Sequence, residues 1–179
     1  DGFLSMQMLG GWLDQAIAGQ RWIIIGTHGP VQAVTGIRDV HLVSADERTR
    51  LIPRDAVFLD VGAKSAAEVA ALGIAPGDPV VPDSRFEVIN GTDNYLGKAW
   101  DDRVGCAVLI EAARRLRVSG HPNQIFFAAT VQEEIGLRGA RTATAIIKPD
   151  IGIAIEGGVT GDAGGAHAEE SQAKLGGGP

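Results

Sequence analysis

The hydrophobic rhythm of the chain changes near its middle. In the first half, apolar residues come in short β-branched runs separated by Gly and Pro. They are Arg21-Trp22-Ile23-Ile24-Ile25-Gly26, then Val31-Gln32-Ala33-Val34-Thr35-Gly36-Ile37 after a turn at Gly29-Pro30, then Ala56-Val57-Phe58-Leu59-Asp60-Val61 after Pro53-Arg54. Runs of this length and punctuation predict strands. Further strand-like pieces stand at Pro79-Val80-Val81 and Phe86-Glu87-Val88-Ile89. One helix interrupts them: Ser65-Ala66-Ala67-Glu68 is a capping-box sequence, and Gly73 is its stop. Short strands at this spacing suggest a small barrel or sandwich.

Around Asn90-Gly91-Thr92-Asp93-Asn94 the period lengthens. Val104, Ala107, Val108, Ala112 and Leu116 recur at helical spacing. A buried strand, Gln124-Ile125-Phe126-Phe127-Ala128-Ala129-Thr130, follows; a second helix is predicted from about Arg138 to Ile146, and a last apolar strand over Ile151-Gly152-Ile153-Ala154-Ile155. Helix–strand–helix–strand order implies right-handed crossovers and a parallel sheet. The expected architecture is a small β-barrel domain over residues 1–88 and an α/β portion with a parallel sheet over residues 89–179. The tail from Gly157 is Gly-rich and aperiodic, and reads as loop or as an element whose partners are missing.

Composition narrows the function classes. A formal net charge of -6 without any basic run argues against nucleic acid or an anionic membrane as partner. No apolar stretch approaches the ~20 residues of a membrane-spanning helix. A single cysteine, Cys106, excludes an internal disulfide and a thiolate metal cluster; it falls on the predicted core face of its helix and is expected to pack there. A reducing, cytoplasmic location is compatible with this usage. The start, Asp1-Gly2-Phe3-Leu4, has no basic segment of the kind that opens a signal peptide.

The chemistry concentrates in three acidic positions. Trp100-Asp101-Asp102-Arg103-Val104-Gly105 and Thr130-Val131-Gln132-Glu133-Glu134-Ile135-Gly136 each open a predicted helix, and Glu156 ends the last apolar run. Ligands of parallel sheets bind beyond the carboxyl ends of the strands, where Glu133, Glu134 and Glu156 fall. Any one of these clusters alone also reads as ordinary helix capping or a solvated strand end. Together they would crowd like charges into one crevice, which a divalent cation offsets. His28, His41, His121 and His167 show no His-x-Glu or His-Glu-x-x-His spacing and are expected to be solvated or packed rather than ligands.

The run Gly97-Lys98-Ala99-Trp100-Asp101-Asp102-Arg103-Val104-Gly105 resembles the metal-bridging segment of the glutamyl, or tetrahedral, aminopeptidases. Thr130-Val131-Gln132-Glu133-Glu134-Ile135-Gly136-Leu137-Arg138-Gly139-Ala140 is similar to their catalytic segment, and Ala173-Lys174-Leu175-Gly176-Gly177-Gly178-Pro179 to a later one. Leu9-Gly10-Gly11-Trp12 and Leu59-Asp60-Val61-Gly62-Ala63 resemble their inserted barrel domain. The resemblance implies two divalent ions, Zn²⁺ or Co²⁺, with Asp101 bridging them, Glu134 on one and Glu156 on the other. It implies Asp102 steadying the loop and Glu133 as general base. Peptides would be the substrates, and the barrel would join copies into a homo-oligomer.

This sequence departs from the family pattern in three places. Glu156 stands where the family often has Asp, and Gly161-Asp162-Ala163-Gly164 lacks a Pro usual near that point. Two His ligands have no counterpart, so the catalytic part is expected to be incomplete at both ends and its parallel sheet to lack strands. Two other readings stay open. A glycoside hydrolase pairs two carboxylates roughly 5–9.5 Å apart without metal, whereas the adjacent Glu133-Glu134 pair fits metal ligation better. An inactive fragment serving only self-association is the other.

Overall fold

The β-branched run after Arg21 forms β1 (Arg21–Gly26), and it turns back through Thr27-His28 into β2 (Gly29–Gly36). The register runs from Arg21 opposite Val34 to Gly26 opposite Gly29. The turn therefore lies two residues before the expected Gly29-Pro30, which already belong to β2. Pro30 is tolerated there because its partner, Ile25, donates its N–H away from β2, to the Pro79 carbonyl at 2.9 Å. In the computed structural model, which describes residues 1–165, 169 and 172–178, the chain divides into two units, Asp1–Lys98 and Ala99–Pro179.

In the first unit, β3 (Phe58–Asp60) pairs with β2, and β4 (Val80–Pro82) pairs with β1, both antiparallel. The ladder runs β3-β2-β1-β4, and Leu4, outside any named strand, forms an isolated antiparallel bridge to Leu59 of β3. A separate hairpin joins β5 (Glu87–Val88) to β6 (Tyr95–Leu96). The expected barrel is represented by this open sheet; among the described residues no ladder links β3 to β4. Both edge strands are only three residues long, which leaves few hydrogen bonds for closure.

Alternation in the strands sets the core. Trp22 and Ile24 of β1, Ala33 and Thr35 of β2, and Leu59 of β3 point to one buried face, joined by Ile17, Val57, Val69 and Ile74. The helix α1 (Ala66–Ala71) delivers Val69 to that core. The cap half of its predicted capping box forms, with Ser65 Oγ accepting the Glu68 N–H at 3.2 Å, while Glu68 Oε2 reaches one residue further back, to the Lys64 N–H at 2.8 Å. Gly73 ends α1 with φ +81, and its carbonyl accepts both the N–H and the hydroxyl of Thr27. This ties the β1–β2 turn to the helix end. A Cβ on Gly73 would lie 2.7 Å from the His28 ring, so only glycine fits both the angle and the contact.

The second unit holds α2 (Trp100–Ser119) and α3 (Arg138–Ile147), both where the helical period places them. The expected parallel sheet is absent: among the described residues, 124–130 and 151–155 form no strand. A strand exists only through a partner's hydrogen bonds, and neither segment finds one. The apolar side chains meant for that sheet consequently stay exposed, Phe126 at 55% and Ile153 at 85%. Cys106 is exposed as well, against the expected core packing, because no layer covers that face of α2 among the described residues. Among the described residues, no helix is long and apolar enough to cross a membrane.

Candidate metal centre

Three loops carry the acidic residues, and each is built differently. At the start of α2 the backbone is not yet helical at Asp101 (φ −77, ψ 116) or Asp102 (φ −117, ψ 51), and the peptide between them is cis. The regular helix begins after Asp102, whose Oδ1 accepts the Gly105 N–H at 2.9 Å. Asp102 is thus the N-cap, with its acceptor three residues from the donor, as caps require. The ordinary capping role holds for Asp102. Asp101, exposed to solvent, takes no part in this cap.

Glu133 and Glu134 sit in a closed loop leading into α3. The Glu133 carbonyl accepts the N–H groups of Gly136 and Leu137, both at 2.9 Å, and the Gly139 N–H closes the loop onto the Val131 carbonyl at 2.9 Å. Gly139 packs so tightly on this loop that a Cβ would fall 2.5 Å from the Val131 nitrogen. Gln132 (φ 57) and Leu137 (φ 56) flank the pair in the left-handed region, as Ala99 (φ 57) precedes the Asp101 segment. Non-glycine residues held there store strain, and such positions gather at functional sites. Glu133 is half-buried, Glu134 exposed.

Glu156 draws the first two loops together. A Cβ on the neighbouring Gly157 would stand 3.9 Å from both Asp101 Cα and Asp102 Oδ1, so this segment lies against the start of α2. The Gly157 N–H, bonded to Glu156 Oε1 at 3.1 Å, is the largest single influence on the Glu156 carboxyl and favours its ionised form. Desolvation and the carboxylates of Asp102, Asp101 and Glu133 together outweigh it, and hold the Glu156 pKa above the usual carboxylate range. Asp101, Asp102, Glu133 and Glu156 therefore share one negative field.

As the side chains stand, no group of three or more His, Cys, Asp or Glu residues is arranged to hold a metal ion among the described residues. The donor set nonetheless suits a hard or borderline divalent cation, since it is all carboxylate and its members repel one another. His28 packs on Gly73, His41 is exposed, and His121 Nδ1 contacts the Asn123 carbonyl at 2.6 Å; His167 lies outside the described residues. Sequence reasoning missed the glycines that seat these loops, Gly105, Gly139 and Gly157. For Gly105 and Gly139 the signal is a glycine placed where a helix would gain from alanine.

Comparison with known proteins gives concordant results. Residues 1–179 match the model of the M42 glutamyl aminopeptidase family. The glutamyl aminopeptidase of Lactococcus lactis is 35% identical over 159 residues, covering 87% of this chain and 44% of that protein. Among solved structures, the TET aminopeptidase of a marine-sediment Thaumarchaeota archaeon superimposes with a TM-score of 0.90 at 39% identity, over 97% of this chain and 49% of its own. The TET1 peptidase of Pyrococcus horikoshii, which assembles into a tetrahedron or a large octahedral shell, gives 0.71 at 33% identity, over 80% of this chain and 42% of its own. The chain spans about half the length of the curated relatives it matches.

Proposed function

Because the chain belongs to the M42 glutamyl aminopeptidase family, we propose that it carries the acidic ligands of a dinuclear metal site that releases N-terminal residues from peptides. The observation that carries this reading is the shared field around Glu156. Three other carboxylates from two separate loops raise its pKa, and Gly157 lies against the start of α2. Such crowding opposes folding unless a cation neutralises it.

In this reading Asp101 would be shared by two ions, Glu134 would hold one and Glu156 the other, while Asp102 fixes the turn behind Asp101 through its cap. When bound, divalent ions such as Zn²⁺ or Co²⁺ provide Lewis acidity at the scissile carbonyl and lower the pKa of water. Glu133 is the general base. Its carboxylate takes a proton from the attacking water and delivers it to the leaving amine. The closed loop serves that role, because two hydrogen bonds to its own carbonyl restrain the Glu133 backbone. Glu134, exposed beside it, is the second carboxylate of the same loop.

The β-rich unit is assigned the role of the small barrel domain that joins copies into an oligomer, supported by the assembly of the Pyrococcus relative. The glycoside-hydrolase alternative finds no support among the relatives, which are aminopeptidases. The test is to titrate the protein with Co²⁺ and Zn²⁺ against a chelating dye, and to follow release from aminoacyl-anilides with and without a chelator. Divalent-ion binding that depends on Asp101 and Glu156, with any turnover abolished by chelation, is expected. Turnover that survives complete chelation would overturn the metal reading.

A further inference from the structure

Gly105 is the one buried residue of α2 among the described residues. It stands three positions after the N-cap, where helices normally accept a side chain; the capping box itself places Glu or Gln there. In this protein the position has no such room. A Cβ built on Gly105 falls 2.6 Å from Asp102 Oδ1 and 2.7 Å from its Cγ, and nearer still to Oδ2. The Asp102 carboxylate thus lies over the Gly105 α-carbon while Oδ1 accepts that residue's N–H at 2.9 Å. In the same rotation Oδ1 stands 3.9 Å from the Cβ position of Gly157, beside Glu156.

We infer that Gly105 is a positioning residue: its missing side chain is the space that sets the rotation of Asp102, and through the adjoining peptide the place of Asp101. Helix propensity opposes this choice, because alanine is the better helix former. The glycine is explained by the neighbour it accommodates. The inference rests on the metal reading above only for the consequence it has on ligand placement; the steric relation between residues 102 and 105 stands without it.

The two are separated by one set of variants of the full chain: Gly105→Ala, Asp102→Ala, the double variant, and Gly152→Ala as a control with nothing near its Cβ position. Thermal unfolding and amide exchange of α2 give the first readout. Gly105→Ala lowers the midpoint and loosens α2 in the native background, and does the reverse in the Asp102→Ala background, where only propensity remains. The same sign in both backgrounds overturns the inference. The second readout is the visible absorption of bound Co²⁺, which a merely structural role would leave alone. Gly105→Ala shifts the spectrum and weakens Co²⁺ binding by roughly 10–100-fold, the usual effect of disturbing residues behind a ligand, while Gly152→Ala matches the parent. If the parent binds no Co²⁺, the metal reading falls and the sign reversal still decides the role of Gly105. An altered midpoint with an unaltered Co²⁺ spectrum limits Gly105 to folding and overturns its positioning role.

Discussion

Thr35→Val probes the most consequential polar contact of the β-rich unit. Thr35 is 5% exposed, and its hydroxyl accepts the indole N–H of Trp22, itself 2% exposed. The same hydroxyl donates to the Gln20 carbonyl at 3.2 Å. Valine keeps the shape and removes the oxygen. The Gln20 carbonyl remains satisfied, because it also accepts the Thr35 N–H at 2.9 Å. One group is therefore orphaned, the Trp22 N–H, at a cost of about 1–3 kcal/mol for a buried unsatisfied donor. In a unit of this size that lowers the thermal midpoint by roughly 5–20 °C. Urea unfolding followed by tryptophan fluorescence measures it. In a Trp22→Phe background the N–H is already gone, and Thr35→Val should then be nearly neutral. Additive losses in the double variant would refute the reasoning, as would a single-variant loss below about 0.5 kcal/mol.

Three further outcomes are expected. Ser65→Ala should destabilise the β-rich unit by about 1 kcal/mol, the typical value of an N-cap, while Ser65→Asp should restore most of it; chemical denaturation distinguishes them. The Leu175 N–H, then the Thr160 hydroxyl, hold the Asp162 carboxyl below its ordinary pKa. That stabilisation is complete above the unfolded pKa and is lost as pH falls through the lowered folded one, so the protection factor of the Leu175 amide should drop on acidification, and should not in Asp162→Asn. Gln132→Gly should raise stability slightly, because relief of roughly 1–2 kcal/mol of left-handed strain exceeds the ~0.5–1 kcal/mol entropic cost of glycine. A measured loss there would mean that the Gln132 side chain contributes contacts of its own.

Legibility in the sequence followed the range of the interactions. Elements specified by neighbours in the chain were readable: the Ser65 cap of α1, the stop at Gly73, the α3 period from Arg138, the β-branched run of β1. Long-range partners were not. Nothing local shows that Tyr95-Leu96 pairs with Glu87-Val88, or that β3 and β4 stay too short to close a ladder. The apolar runs at 124–130 and 151–155 have the composition of buried strands, yet a strand needs a partner that the local sequence does not supply, and Cys106 is left exposed for the same reason. The acidic cluster was legible as residue types. Its seating was not, since close approach at Gly105 and Gly157 depends on how the segments meet. Asp102 unites the two meanings of an acidic helix start: it is an N-cap and a member of the acidic field at once.

The central claim is the division of labour between two adjacent residues, Glu133 as base and Glu134 as ligand. Metal content and turnover of Glu133→Gln and Glu134→Gln, measured side by side with the parent after loading with Co²⁺ or Zn²⁺, test it most directly. The account predicts that Glu133→Gln keeps its ions and loses turnover by roughly 10²–10⁴, the contribution of a positioned acid–base group, whereas Glu134→Gln loses metal. Equal metal content in the two variants, with equal residual turnover, would contradict it.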